Sequence, residues 1–258
     1  MSRADSMSMM LRSLRLPAIQ REYGNLAKRA ESNTWSFEHY LKVLLELEIS
    51  ERSERRIERL LKRSGLPEGK NLTTLDQKLM PVKIRRQIPS LVEGGFVERA
   101  ENVLAFGLPG RGKTHLVAAI ARELVFRKGY AVLFTSTHRL VEQLLIAKRE
   151  LEIEKVFRKL DRFEVIVLDD IGYVQQSREE MEVLFTFLSE RYERRSLMIT
   201  SNLVFSEWDR IFKDPMTTAA AIDRLVHHST ILELDNDSYR AEHAKIRQND
   251  RKQLAQRR

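Results

Sequence analysis

The sequence runs Gly107-Leu108-Pro109-Gly110-Arg111-Gly112-Lys113-Thr114 between an apolar run and a helix-prone segment. It fits G-x-x-x-x-G-K-[ST], a phosphate-binding loop. The glycines let consecutive backbone N–H groups turn inward around an anion with no Cβ in the way. Lys113 supplies a point charge for the β- and γ-phosphates, and the Thr114 hydroxyl is a Mg²⁺ ligand. The pattern carries weight only between a strand and a helix. Val103–Phe106 is a short apolar run suited to a buried strand. His115–Leu124 is helix-prone, and Gly129 stops it. The helix points its positive dipole end at the same phosphates, so His115 joins the binding set.

Downstream, Phe163-Glu164-Val165-Ile166-Val167-Leu168-Asp169-Asp170 reads as a buried strand ending in two carboxylates. Ligands of open α/β sheets bind at that edge. Asp169 is placed to hold Mg²⁺ through water, and Asp170 to orient and polarise an attacking water. The strand ending Met198-Ile199-Thr200-Ser201-Asn202 is expected between these two anchor strands. Its terminal amide, Asn202, can bond both phosphate and water. Hydrolysis of this type also needs a positive charge in the transition state, often from a neighbouring subunit. Arg224, near the end of a helix, fits that task, with Arg210 and Arg240 as alternatives.

Strand candidates recur at 103–106, 131–135, 165–168, 197–200 and 230–234, with helices between them, the mark of a parallel α/β sheet. The first hundred residues are helical instead. Leu16, Ile19, Tyr23, Leu26, Ala27 and Ala30 share one face, with Pro17 in the first turn. A longer helix starts after Ser36 and stops at Gly65 and Pro67, with Phe37, Leu41, Leu44, Leu45, Ile57, Leu60 and Leu61 as its expected buried stripe. Its middle is charged, pairing Glu48 with Arg52 and Glu51 with Arg55. Such a hairpin carries few apolar residues, so it is expected to pack on the other domain, a sister subunit or a partner. The domains expected are 1–66 helical, 67–98 a Pro/Gly-punctuated connector, 99–238 the nucleotide-binding domain and 239–258 a basic tail.

With 45 Lys+Arg against 37 Asp+Glu, the chain carries a net charge of +8, which favours polyanions, chiefly nucleic acid. The absence of cysteine excludes disulfides, thiolate catalysis and cysteine-ligated zinc. No apolar stretch approaches a bilayer span and no secretory h-region stands at the N-terminus, so a cytoplasmic protein without a membrane partner is expected. Between the second and third strands, 139–162 is long enough for two helices. Lys148, Lys155, Lys159 and Arg162 form a basic stripe if the helix is continuous, flanked by Arg149 and Arg158. These six are expected to contact DNA phosphates, which position without reading sequence.

The loop at 107–114, Leu-Asp-Asp-Ile-Gly at 168–172, Ile-Thr-Ser-Asn ending at Asn202, Asp223-Arg224-Leu225 and Asp237-Ser238-Tyr239-Arg240 resemble, in order, the AAA+ ATPases of the IstB/DnaC group. Leu14-Arg15-Leu16-Pro17 and the helix from Phe37-Glu38-His39-Tyr40-Leu41 to Arg59 resemble the IstB branch, helper ATPases of insertion-sequence transposases. The resemblance implies an AAA+ P-loop three-layer sandwich with a five-stranded parallel sheet, preceded by a small all-helical N-terminal domain. It makes Lys113 and Thr114 Walker A, Asp169 and Asp170 Walker B, Asn202 sensor I and Arg224 the arginine finger, with Arg240 near sensor II. ATP and Mg²⁺ are the implied cofactors. Duplex DNA, a transposase of the same element and further copies of the chain are the implied partners. Arg111 departs from the small residue usual in the loop and is expected to point outward. Asp170 stands where many members carry glutamate, a shorter reach toward the water. The alternatives are a DnaC-like helicase loader on single-stranded DNA and a small-molecule kinase. The paired aspartates, the basic balance and the lack of an evident acceptor pocket argue against the kinase.

Overall fold

The computed structural model describes residues 3–173, 177–208, 211 and 215–235. It divides into two compact units, Met1–Arg59 and Leu60–Arg258. In the first, α1 (Arg3–Ser13), which the sequence reading did not anticipate, precedes α2 (Pro17–Ser32) and α3 (Phe37–Ser64). Pro17 occupies the first turn of α2, where its missing N–H costs nothing. Leu11, Ile19, Leu26 and Leu44 form the core, with Leu16, Tyr23, Tyr40, Val43 and Leu47 packed against it.

The expected stripe of α3 requires correction. Phe37 is 94% exposed, and Leu41, Leu45 and Ile49 are exposed as well. The inward face is Tyr40, Val43, Leu44, Leu47 and Glu48. The cause is Glu48, which is buried and accepts hydrogen bonds from the backbone N–H groups of Ala18 (2.9 Å) and Ile19 (3.2 Å). These are orphan donors at the start of α2, which no side chain of its own N-cap residue satisfies. Turning Glu48 inward brings Leu44 and Tyr40 with it, at i−4 and i−8, and leaves 41, 45 and 49 each one residue, about 100°, past an inward-facing neighbour. Arg52 closes the far side of the carboxylate at 2.9 Å, and Arg55 pairs with Glu51 at 3.2 Å, as the spacing predicts. Burial alone would raise the Glu48 pKa, but the bonds from Ile19, Arg52 and Ala18 outweigh it and hold the carboxyl below its ordinary value.

Replacing Glu48 with alanine is expected to destabilise α2 by about 2 kcal/mol, from a lost cap and two buried donors without an acceptor. Amide exchange at Ala18 and Ile19 would then accelerate by about 30-fold. Because the folded pKa is depressed, the wild-type contribution is fully present above the ordinary glutamate range. It is lost as pH falls through the lower folded value.

The second unit is built on β1 (Asn102–Phe106), β2 (Val132–Ser136), β3 (Val165–Asp169), β4 (Ser196–Ser201) and β5 (Ser229–Glu233). Each lies within one residue of the expected bounds. All pairings are parallel, in the order β2-β3-β4-β1-β5, so β4 lies between β3 and β1 as anticipated. Strand residues alternate between faces. Leu104, Phe106, Ile166, Leu168, Leu197 and Ile199 pack with α7 (Thr137–Arg149), α8 (Ile153–Leu160), α9 (Arg178–Arg191) and α10 (Pro215–Val226). Val103, Ala105, Val165, Val167 and Met198 turn to the other face, where α6 (Lys113–Lys128) contacts β1, β2, β3 and β4. The result is a three-layer sandwich. Within 67–98, expected as a connector, α4 (Val82–Val92) packs on α6 and buries Ile84, Ile88, Leu91 and Val92, and α5 (Gly95–Glu98) buries Phe96.

The basic segment does form two helices, but they are not continuous. Leu151, at φ 59°, interrupts the helix between α7 and α8. Among the described residues no helix is long and apolar enough to cross a membrane.

Candidate active site

β1 delivers the chain into the loop at Gly107, whose φ is 148° and where a Cβ would lie 2.4 Å from the Leu234 carbonyl oxygen. Only glycine fits so close to the end of β5, where the Leu234 N–H bonds the Phe106 carbonyl at 2.8 Å. Gly110 and Gly112, at φ 85° and 92°, complete the turn. α6 then begins at Lys113 with no side-chain cap. Its first N–H groups are therefore available to an anion.

The side chains that meet here form one connected network. Lys113, nearly fully buried, donates to the carbonyls of Gly107 (2.6 Å) and Leu108 (3.0 Å) and to Asn202 Oδ1 (2.6 Å). The Asn202 amide nitrogen donates to both carboxylate oxygens of Asp170, at 3.0 and 3.1 Å. Asp169 Oδ1 accepts from the Thr114 hydroxyl at 2.8 Å and from the Thr200 hydroxyl at 2.7 Å. Thr200 in turn accepts the Asp170 N–H at 2.8 Å. Asp170 sits in the left-handed region at φ 60°. Its pKa is raised, first by burial and then by Asp169, while Lys113 and Asn202 pull it back.

Lys113, Thr114, His115, Pro109, Gly110, Gly112, Asp169, Asp170 and Asn202 all line a cavity of about 600 Å³. A nucleoside triphosphate fits a polar cavity of this size. Gly107 and Leu108 are not among the lining residues; their carbonyls accept from Lys113. Arg111 does not point outward as expected: half-buried, it donates to the Leu234 carbonyl at 3.0 Å and ties the loop to the end of β5.

The match to the family model described as IstB-like ATP binding protein runs over residues 9–247. The chain belongs to this IstB-like family. It is 44% identical to an insertion sequence ATP-binding protein of Sinorhizobium fredii, over 91% of this chain and 78% of that one. A second such protein, of insertion sequence IS5376 in Geobacillus stearothermophilus, is 36% identical over 93% and 95% of the two chains. The solved DnaC helicase loader superposes with a TM-score of 0.51 at 21% identity, over 69% of this chain and 99% of its own. The IstB-like chain thus has the AAA+ P-loop sandwich with its helical N-terminal region, binds ATP and is an ATPase by class.

Two parts of the IstB-like site escaped the sequence reading. Thr200 was passed over for Asn202, yet it is the buried bridge between the two aspartates. The -Asp-Asp- and -Thr-Ser-Asn strand ends were visible signals, but which hydroxyl faces Asp169 depends on the β3–β4 register. The segment Lys70–Asp76 was read only as connector, whereas Lys70, Thr74, Leu75 and Asp76 line the cavity. Arg122 on α6 anchors it through the carbonyls of Pro67 (2.9 Å) and Lys70 (3.3 Å). His115 reaches the Thr74 hydroxyl at 3.0 Å and the Asn71 carbonyl at 3.3 Å. Burial lowers the His115 pKa, aided by Lys70 and opposed by the Asn71 carbonyl.

Arg224 is not in the cavity. It lies over the Phe185 ring at 4.8 Å, beside the helix end that leads into β5. Arg210 and Arg240 fall outside the described residues. The six basic residues expected at DNA are all exposed, but Lys148 pairs with Glu182 (3.0 Å), Arg149 with Glu179 (3.8 Å) and Lys155 with Glu152 (2.9 Å). The break at Leu151 splits the single stripe, leaving Lys155, Arg158, Lys159 and Arg162 together at α8 and just past its end.

Proposed function

We propose that this protein uses ATP to assemble copies of itself on duplex DNA, where it assists the transposase of an insertion sequence in choosing and joining a target. The observation that carries the reading is the separation of Arg224 from the cavity residues. Every residue assigned to phosphate, metal and water sits at the C-terminal ends of β1, β3 and β4. Arg224 sits at the opposite edge: the Leu225 carbonyl next to it accepts from Asn102, the first residue of β1. Five-residue strands separate these edges by about 16 Å. That separation supports the reading in which Arg224 serves the nucleotide of an adjoining copy and ATP joins protomers.

Thr114 and Asp169 are the metal ligands in this reading. A hydroxyl and a carboxylate oxygen 2.8 Å apart are hard donors suited to Mg²⁺. When bound, the ion neutralises charge on the phosphates. Lys113 holds the β- and γ-phosphates, Asp170 orients the attacking water, and Asn202, bonded to both, sets their spacing. The exposed Phe37, Leu41, Leu45 and Ile49 of the N-terminal unit suit contact with a sister subunit or the transposase. The names of the insertion-sequence relatives support the transposition role, and the balance of +8 supports DNA.

The α8 cluster is the surface assigned to phosphates. Changing Lys155, Lys159 and Arg162 together to glutamate is expected to weaken ATP-dependent duplex binding by at least about 10-fold and to flatten its salt dependence. Fluorescence anisotropy checks this, and unchanged affinity would remove the assignment. The likeness to the DnaC loader favours a second reading, a helicase loader on single strands. The same assay separates them: tighter ATP-dependent binding to duplex supports the first, and to single strands the second.

A further inference from the structure

We propose that Glu193, His227 and His228 form a binding site for a divalent transition-metal ion, with zinc as its occupant, at the strand-entry edge of the sheet. This edge is remote from the Thr114–Asp169 pair. One ligand atom from each of the three residues lies within 4.8 Å of the other two. Adjacent histidines on a helix or strand diverge. Here they occupy the two-residue turn between α10 and β5, and their rings stand 4.0 Å apart between centroids. Glu193 reaches them from the turn before β4, held at φ 56°, with a carboxylate oxygen 3.7 Å from His228 Nε2.

The support around the cluster is that of a ligand set. Tyr192 Oη lies 3.1 Å from His227 Nδ1, the kind of outer contact that fixes the tautomer and orientation of a ligating imidazole. The His228 backbone is anchored, its carbonyl accepting the Asn102 N–H at 2.8 Å. Glu101 adds negative charge beside His228. The neighbouring Arg194 is turned away, paired with Asp161 at 3.0 Å and Glu190 at 3.2 Å.

Two imidazoles and a carboxylate match a borderline ion rather than Mg²⁺, which asks for oxygen alone. Ligand atoms on tetrahedral zinc stand about 3.3 Å apart, so the exposed side chains need close in by up to about 1.5 Å, leaving a fourth position to water. A bound ion would fasten the end of α10, which carries Arg224, to the turn that opens β4.

The test is a visible-absorption titration of tag-free, full-length protein with Co²⁺ in the absence of nucleotide. One equivalent is expected to develop the intense d–d bands of low-coordinate nitrogen and oxygen ligation, and Zn²⁺ to displace it. The double variant H227A/H228A is expected to lose the signal. Tyr192→Phe is expected to weaken binding by about 10-fold, as for other lost outer-shell partners. Glu193→Gln, a neutral isostere on an exposed turn, is expected to weaken it further. Absence of the bands in the wild type would overturn the site. So would equal Co²⁺ binding by either the double variant or Glu193→Gln.

Discussion

Lys113→Ala is expected to lower ATP turnover by about 10²–10³-fold, the range for deleting one preorganised group that stabilises transition-state charge. It should also abolish ATP-dependent complexes on DNA. The size of the effect follows from where the ammonium sits. It is buried between two loop carbonyls and Asn202 Oδ1, so it is aimed before any phosphate arrives. Alanine removes that charge and leaves the Asn202 oxygen without a donor, which frees the amide that holds Asp170. Steady-state phosphate release checks turnover, and anisotropy of labelled duplex checks assembly. Wild-type assembly by this variant would separate DNA binding from the nucleotide altogether.

The second large effect is expected at Asp170. Asp170→Asn should reduce hydrolysis by about 10²–10⁴-fold, the contribution of a positioned acid–base group. Nucleotide affinity should stay near that of the wild type. The amide keeps an oxygen for Asn202 Nδ2 and the same left-handed backbone, which asparagine tolerates. It loses the negative charge that orients water. Complexes on duplex DNA should consequently form with ATP and persist, whereas those of the wild type turn over. A fluorescent ATP analogue measures the affinity and competitor-chase anisotropy the lifetime. A variant that hydrolyses normally would shift the water-orienting role to another group.

On the proposed roles, Lys113 would be required for nucleotide to act at all, and Asp170 only for its removal. If ATP is an assembly signal, the first variant fails to build and the second fails to dismantle.

The residues proposed to carry phosphate chemistry are legible in the sequence because each lies at a strand end within a local pattern. Gly107 to Thr114 forms its own turn, and Asp169 and Asp170 terminate an apolar run. The five strands were readable for the same reason, since buried parallel strands are short apolar runs between turns. What was not readable depends on contacts between distant segments. Thr200 faces Asp169 only through the β3–β4 register. Lys70 to Asp76 reaches the cavity only because Arg122, on α6, holds the carbonyls of that segment. In α3, periodicity leaves two neighbouring faces nearly equivalent, and two long-range bonds from the start of α2 to Glu48 choose between them. The break at Leu151 carries no glycine or proline to announce it; a leucine takes φ 59° there.

In the proposed assembly ATP joins protomers on duplex DNA through Lys113 of one copy and Arg224 of the next. Its most direct test is electron microscopy of the full chain with duplex DNA and ATP, beside the Arg224→Ala variant. The account predicts closed or helical assemblies of regular subunits around duplex with ATP, absent without nucleotide and absent for Arg224→Ala. Assemblies that form equally well with Arg224→Ala, or no assembly with ATP and duplex at all, would contradict it.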